Sequence, residues 1–141
     1  MNDRAMLVAR IASLLSPCEE VLEAYLFGSH AQGRAQSHSD IDVAVFIEER
    51  LAEAGPFGYR AALTTKLMAG LQTNDVDVLI LNGAPPVLYY RVLRDGVRVV
   101  ARDLAATTTR EGQALSRYCD YVPQLAKIEA SWRTPDSADE R

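Results

Sequence analysis

Apolar and polar positions along the chain change period several times, and each change marks an element. Met6, Leu7, Ile11, Leu14 and Leu15 recur at helical spacing, predicting a helix over residues 4–16 that Pro17 stops. The run Val21-Leu22-Glu23-Ala24-Tyr25-Leu26-Phe27 predicts a buried strand ending at a turn on Gly28. Residues 29–39 are small and polar, fitting a helical turn and a loop. Asp40 to Ile47 is rich in β-branched residues and predicts a second strand. After a charged loop over 48–56, Phe57, Leu63, Leu67 and Leu71 trace a helical stripe, with Gly70 as its expected stop. Asp75 to Leu81 predicts a third strand, Pro85-Pro86 opens a helix to about Asp95, and Val97 to Ala101 a fourth strand. A long helical segment follows from about Asp103. Leu115, Tyr118, Cys119, Val122, Leu125 and Ala126 share one of its stripes, and Pro123 is expected to kink or split it. Helices thus alternate with strands, predicting an α/β domain: a mixed sheet of about four strands with flanking helices and a C-terminal helix. The expected division is a core over 1–103, a helical extension over 104–133 and a frayed tail over 134–141.

Composition narrows the function classes. The chain has 141 residues, of which 48% are hydrophobic, enough for one domain with a real core. Its net charge of −4 argues against duplex nucleic acid as the main partner, since backbone binding asks for a basic excess. Cys18 and Cys119 lack any zinc-ligand spacing and are expected as reduced thiols. No leader pattern and no long apolar run is visible, so a soluble, cytoplasmic protein without membrane contact is expected.

The chemistry concentrates in Gly28-Ser29, a spacer of ten residues, and Asp40-Ile41-Asp42. Side chains at i and i+2 of a strand share a face, so Asp40 and Asp42 project together. Paired carboxylates repel unless a proton or cation intervenes, and a hard cation such as Mg²⁺ meets that need. Glycine lets the backbone approach a ligand closely, and Gly28-Ser29 is expected in a turn that opens a short helix, whose start offers free amides and the Ser29 hydroxyl to an anion. Together these features suit a nucleoside triphosphate with its magnesium. A third carboxylate would complete a two-metal site. In DVDVLIL, Asp77 is chosen over Asp75 because it lies deeper in the apolar run, where an unpaired charge is costly.

On these residues the chain resembles the DNA polymerase β-like nucleotidyltransferase superfamily. GSHAQGRAQSHSDID at 28–42, then DVDVLILN, a proline-containing helix and RDGVRVVARD, is similar to its minimal nucleotidyltransferase (MNT) branch. RYCDYVP is similar to the C-terminal helix of MNT antitoxins paired with HEPN toxins. The resemblance implies that Gly28 and Ser29 hold the triphosphate, that Asp40, Asp42 and Asp77 bind metal, and that Asp77 helps deprotonate the attacking hydroxyl. The family's arginine three residues after the serine is replaced by Gln32, with Arg34 the nearby substitute. ATP and two Mg²⁺ ions are then expected, transferring AMP to a hydroxyl, a tyrosine by resemblance, of a HEPN-family ribonuclease toxin held in a hetero-oligomer. With so few residues after the core, the acceptor site is expected to be completed by another chain. A small-molecule nucleotidyltransferase and an antitoxin acting by binding alone are the competing readings. Lys66, His30 and His38 are weighed as surface residues, Tyr89, Tyr90, Tyr118 and Tyr121 as core or rim aromatics, and Trp132 as a hint of partner contact.

This reading predicts that millimolar Mg-ATP raises the melting temperature, and that Asp42→Asn removes most of that rise relative to its own ligand-free value. Differential scanning fluorimetry checks it.

Overall fold

The computed structural model describes residues 3–35, 39–52 and 55–132. Its order is α1 (Asp3–Leu15), β1 (Val21–Phe27), β2 (Ile41–Ile47), a 3₁₀ turn (Glu49–Leu51), α2 (Gly55–Leu71), β3 (Val76–Ile80), α3 (Pro86–Asp95), β4 (Val97–Ala101) and α4 (Leu104–Trp132). The four strands form one sheet in the order β3-β2-β1-β4. β1 runs antiparallel to β2 and β4, whereas β2 and β3 are parallel.

Helices cover both faces of the sheet, and each face carries an apolar cluster. On one face Ile11 and Leu15 of α1 and Leu63, Leu67 and Leu71 of α2 pack on Val21, Val43, Val45 and Val78. On the other, Tyr89 and Val92 of α3 and Ala114 of α4 pack on Tyr25, Ala44 and Leu81. Double coverage explains why β1 and β2 read as near-continuous apolar runs rather than as alternating strands.

Several expectations are revised. Residues 29–33 form a turn without becoming a helix. Gly70 does not stop α2. A Cβ there would stand 2.4 Å from Leu14 Cδ2, so this glycine lets α1 and α2 pack closely, and the chain reverses at Gln72, with φ 58°. Met6 lies on the predicted stripe yet is 50% exposed. Along α4, Leu115, Cys119 and Val122 face outward, and the helix continues through Pro123. The inward face of α4 carries Thr107, Arg110, Glu111 and Ala114 instead. The side chains of Phe57, Leu125, Ala126 and Trp132, together with His38 and the tail, lie outside the described residues.

Polar anchors hold that inward face. Glu23, wholly buried in β1, accepts two hydrogen bonds from Arg110 at 2.6 Å each and one from Thr107 Oγ1 at 2.9 Å. The Arg110 guanidinium stacks 5.0 Å over Phe46. Glu111 accepts from Tyr25 Oη at 2.7 Å and from Arg98 at 2.7 and 3.1 Å. Beyond these, Tyr118 stacks on Tyr90 with ring centroids 3.8 Å apart. An amphipathicity rule misses this helix because its contact with the sheet is made largely through charge.

Arg110→Ala leaves the Glu23 carboxylate buried without its cation, and is expected to lower unfolding free energy by about 3–5 kcal/mol in urea titration.

Candidate active site

One end of the α3/α4 face of the sheet carries the predicted residues. The strand registers pair Phe27 with Asp42 and Asp42 with Asp77. Residues paired across a sheet share a face, and neighbouring strands lie about 4.8 Å apart. Asp42 and Asp77 therefore stand side by side, with Gly28 just beyond Phe27 on the other flank of Asp42. Ile41 N donates to the Asp75 carbonyl at 2.7 Å, which fixes the start of this parallel pair.

Gly28 has φ +76°, and a Cβ placed on it would lie 2.2 Å from Asp42 Oδ2. Only glycine lets the backbone pass this close to the carboxylate while turning left-handed. The turn is closed by Gln32 N donating to Gly28 O at 3.2 Å and Arg34 N to Ser29 O at 2.9 Å. It is held from outside by Arg4, whose Nη1 donates to Ala31 O at 2.8 Å. His30 is half-buried, and its Nε2 donates to the Ser39 carbonyl at 3.2 Å, joining the turn to the start of β2.

Burial pushes the Asp42 carboxyl above its ordinary value, and the charges of Asp77 and Asp40 push it further; His30 opposes them. Asp40 precedes β2 and is exposed, but lies close enough to act on Asp42 through its charge. Asp77 does not meet its expectation of burial: its side chain is 60% exposed, because β3 is the edge strand. What distinguishes Asp77 from the solvated Asp75 is register. One oxygen of Asp77 accepts from Arg60 Nη2 at 3.3 Å, while Arg60 Nε donates to the Val78 carbonyl at 2.7 Å. Arg60 escaped sequence reasoning, as did the Glu23–Arg110 pair; neither has a spacing signal.

Arg34 is exposed, and its Nη2 donates to the Gln32 side chain, which brings its guanidinium towards the position where an arginine is expected. The Asp95 carboxyl is held low chiefly by its hydrogen bond from Arg94, and the charge of Arg34 adds to that. Lys66 is at the other end of the sheet, its Nζ 3.1 Å from Cys18 Sγ below the start of β1. The seven residues of β1 separate it from Gly28 by roughly 20 Å, so it does not reach the site.

Among the described residues no three Asp, Glu, His or Cys side chains stand close enough together to hold an ion as they are. The donor set is nonetheless all-oxygen, and it concentrates negative charge on a carboxyl that burial already disfavours as an anion. That chemistry fits a hard divalent cation.

Comparison with known proteins gives the family and the fold. The family model described as polymerase beta, nucleotidyltransferase matches residues 9–105. The protein adenylyltransferase MntA of Shewanella oneidensis is 39% identical over 72 residues, 51% of this chain and 48% of that protein. The match thus spans about half the length of that relative. A solved toxin–antitoxin with AMP-PNP superposes with TM-score 0.72 at 26% identity, covering 89% of this chain and 98% of that one. The tri-AMPylated Shewanella oneidensis HEPN toxin in complex with MNT antitoxin shares the fold, with TM-score 0.69 at 23% identity over 92% of this chain and 99% of that one. No helix of the described residues is long and apolar enough to cross a membrane.

The raised carboxyl gives a pH prediction. A carboxylate whose folded pKa lies above its unfolded value destabilises the fold once ionised. The penalty is absent below the ordinary Asp value of 3.8 and complete above the folded pKa. Asp42→Asn is therefore expected to raise the metal-free melting temperature at pH 7, with the gain vanishing as pH falls below 3.8. Thermal melts across pH without divalent ions check this.

Proposed function

The chain belongs to the polymerase beta nucleotidyltransferase family, and we propose that it is an antitoxin that transfers AMP from ATP to a hydroxyl, a tyrosine, of a HEPN-family ribonuclease toxin. The observation that carries the reading is the Phe27–Asp42–Asp77 register, which sets two carboxylates beside a left-handed glycine turn. The similarity to a protein adenylyltransferase and to a toxin–antitoxin holding an ATP analogue supports the choice of nucleotide and of a protein acceptor.

In this reading Gly28 and Ser29 hold the triphosphate. The backbone amides that open this turn can face an anion, and the bare Gly28 leaves room for a phosphate whose cation would sit on Asp42. Arg34 adds positive charge on the same turn. Asp40, Asp42 and Asp77 would hold Mg²⁺, two ions in all, which would supply a lowered pKa for the acceptor hydroxyl and charge neutralisation for the departing pyrophosphate. Asp42, in the middle of the row, faces both the nucleotide and Asp77. Asp77 meets the acceptor hydroxyl and takes its proton as that oxygen bonds to the α-phosphorus and pyrophosphate leaves. His30 keeps the phosphate turn and the Asp40 end of β2 at a fixed separation. The proposed division keeps residues 1–103 as the catalytic core, with 104–133 as a helical extension anchored to it.

The test is incubation with Mg-ATP and the protein encoded by the adjacent gene, read by intact-mass spectrometry. The expected result is AMP added to the partner, located on tyrosine by fragmentation. Asp77→Asn should slow transfer by about 10²–10⁴-fold. No added AMP from a chain that binds Mg-ATP would refute the reading. Pyrophosphate release on a small acceptor without the partner would favour the small-molecule enzyme. Neutralisation that survives Asp42→Asn would favour an antitoxin acting by binding.

A further inference from the structure

We propose that the cleft between α2 and the free edge of β3, lined by Arg60, Ala61, Thr64 and Asp77, is where the acceptor-bearing segment of the partner protein docks. This rests on the nucleotidyl-transfer reading above.

The argument starts from the order of parts across the end of the sheet. Gly28-Ser29 follows β1, Asp40 and Asp42 begin β2, and Asp77 lies on β3, which is the edge. Displacement at phosphorus is in line: the attacking oxygen enters opposite the leaving pyrophosphate. With the triphosphate on the β1 flank of Asp42, the hydroxyl must come from the β3 flank. Among the described residues no further strand lies beyond β3, and α2 packs on the other face of the sheet. Arg60 bridges this edge. Its Nε is bonded to the Val78 carbonyl and its Nη2 to Asp77.

The cleft beside it has a volume of about 370 Å³, at the small end of the range for ligand sites. It suits one large side chain better than a whole cofactor. Its surface chemistry points to a peptide. Ala61 leaves space, and the Thr64 hydroxyl donates to the Arg60 carbonyl at 2.7 Å within its own helix. Within the described residues Arg60 uses Nε and Nη2 in its bonds to Val78 and Asp77, which leaves Nη1 to donate to a carboxylate or main-chain carbonyl flanking the acceptor hydroxyl. A larger cleft of about 450 Å³ near the phosphate turn is lined by Arg4, Arg10, His30 and Ile41. Its Ile41 belongs to the α1/α2 face of the sheet, whereas Asp42 and Asp77 lie on the α3/α4 face.

Ala61→Arg and Thr64→Arg fill the cleft from helix positions outside the phosphate turn and the carboxylate row, and arginine is a good helix former. AMP-PNP binding with Mg²⁺ is measured by calorimetry, and transfer is measured against partner concentration. The expected result is unchanged AMP-PNP affinity with KM for the partner raised about tenfold or more. Ala61→Ser should behave as the unmodified chain. An unaltered KM in both arginine variants would overturn the cleft and leave the transfer reading standing. Weakened AMP-PNP binding in both would also overturn it, since the cleft would then act on the nucleotide. A chain without substitutions that binds no AMP-PNP would overturn both.

Discussion

Two aspartates held opposite each other in a parallel register, on one face of a sheet, set the terms for everything around them. At about 5 Å two unit charges repel by roughly 3 kcal/mol at an effective dielectric constant of about 20. The register that pairs Asp42 with Asp77 cannot be slipped to relieve this. Moving β3 by one residue would turn its apolar set away from the helix that covers it. The core therefore enforces the charge pair, because Val78 and Val43 must face α1 and α2. Whatever relieves the repulsion must come from outside the ladder: Arg60 at the edge, His30 from the turn, or an ion from solution.

The same constraint explains the surrounding geometry. Asp42 tolerates a close backbone only because residue 28 has no side chain, and the left-handed turn there leads the chain away from the carboxylate. The spacer before Asp40 is tied back by the His30–Ser39 bond, so its length and its closure act together. On the far side, β3 is short and lies at the edge, which leaves Asp77 in solvent and within reach of another molecule.

Strand positions were legible in the sequence because apolar runs bounded by glycine and proline have few alternatives. β1 begins and ends where expected, and α3 does so as well. The grouping of Gly28, Asp40 and Asp42 was legible from spacing alone, since a strand's two-residue period needs no tertiary information. Asp77 was chosen on a wrong premise, burial, and its place beside Asp42 comes from a register that only the folded sheet defines. α4 was misjudged for a related reason. Apolar residues at helical spacing are expected to turn inward, but Arg110 and Glu111 reach buried or tethered partners on β1 and β4, and those charge pairs rotate the helix so that Leu115 and Val122 face out. The β1 partners, Glu23 and Tyr25, lie more than eighty positions from Arg110 and Glu111 and leave no local trace. Arg60 is hidden likewise: its role depends on which strand forms the edge.

Glu23 and Asp42 make the strongest case that the site is built to receive something. They lie on the same face of the same sheet, on adjacent strands, towards opposite ends. For Glu23 the chain supplies its own cation, Arg110 from α4, with Thr107 to complete the shell, and the carboxylate is sealed from water. For Asp42 the chain supplies two more carboxylates and leaves that end of the face open. A fold able to neutralise a buried acid at one end does not lack the means to do so at the other. An Arg60 that reaches only the outer member of the row, across an exposed 3.3 Å contact, does not balance three negative charges. The imbalance is local, enforced by the core, and set beside the left-handed turn at Gly28. Under the proposed function, a divalent cation carried in with a polyphosphate would balance both halves at once, the metal on the carboxylates and the phosphates on the turn.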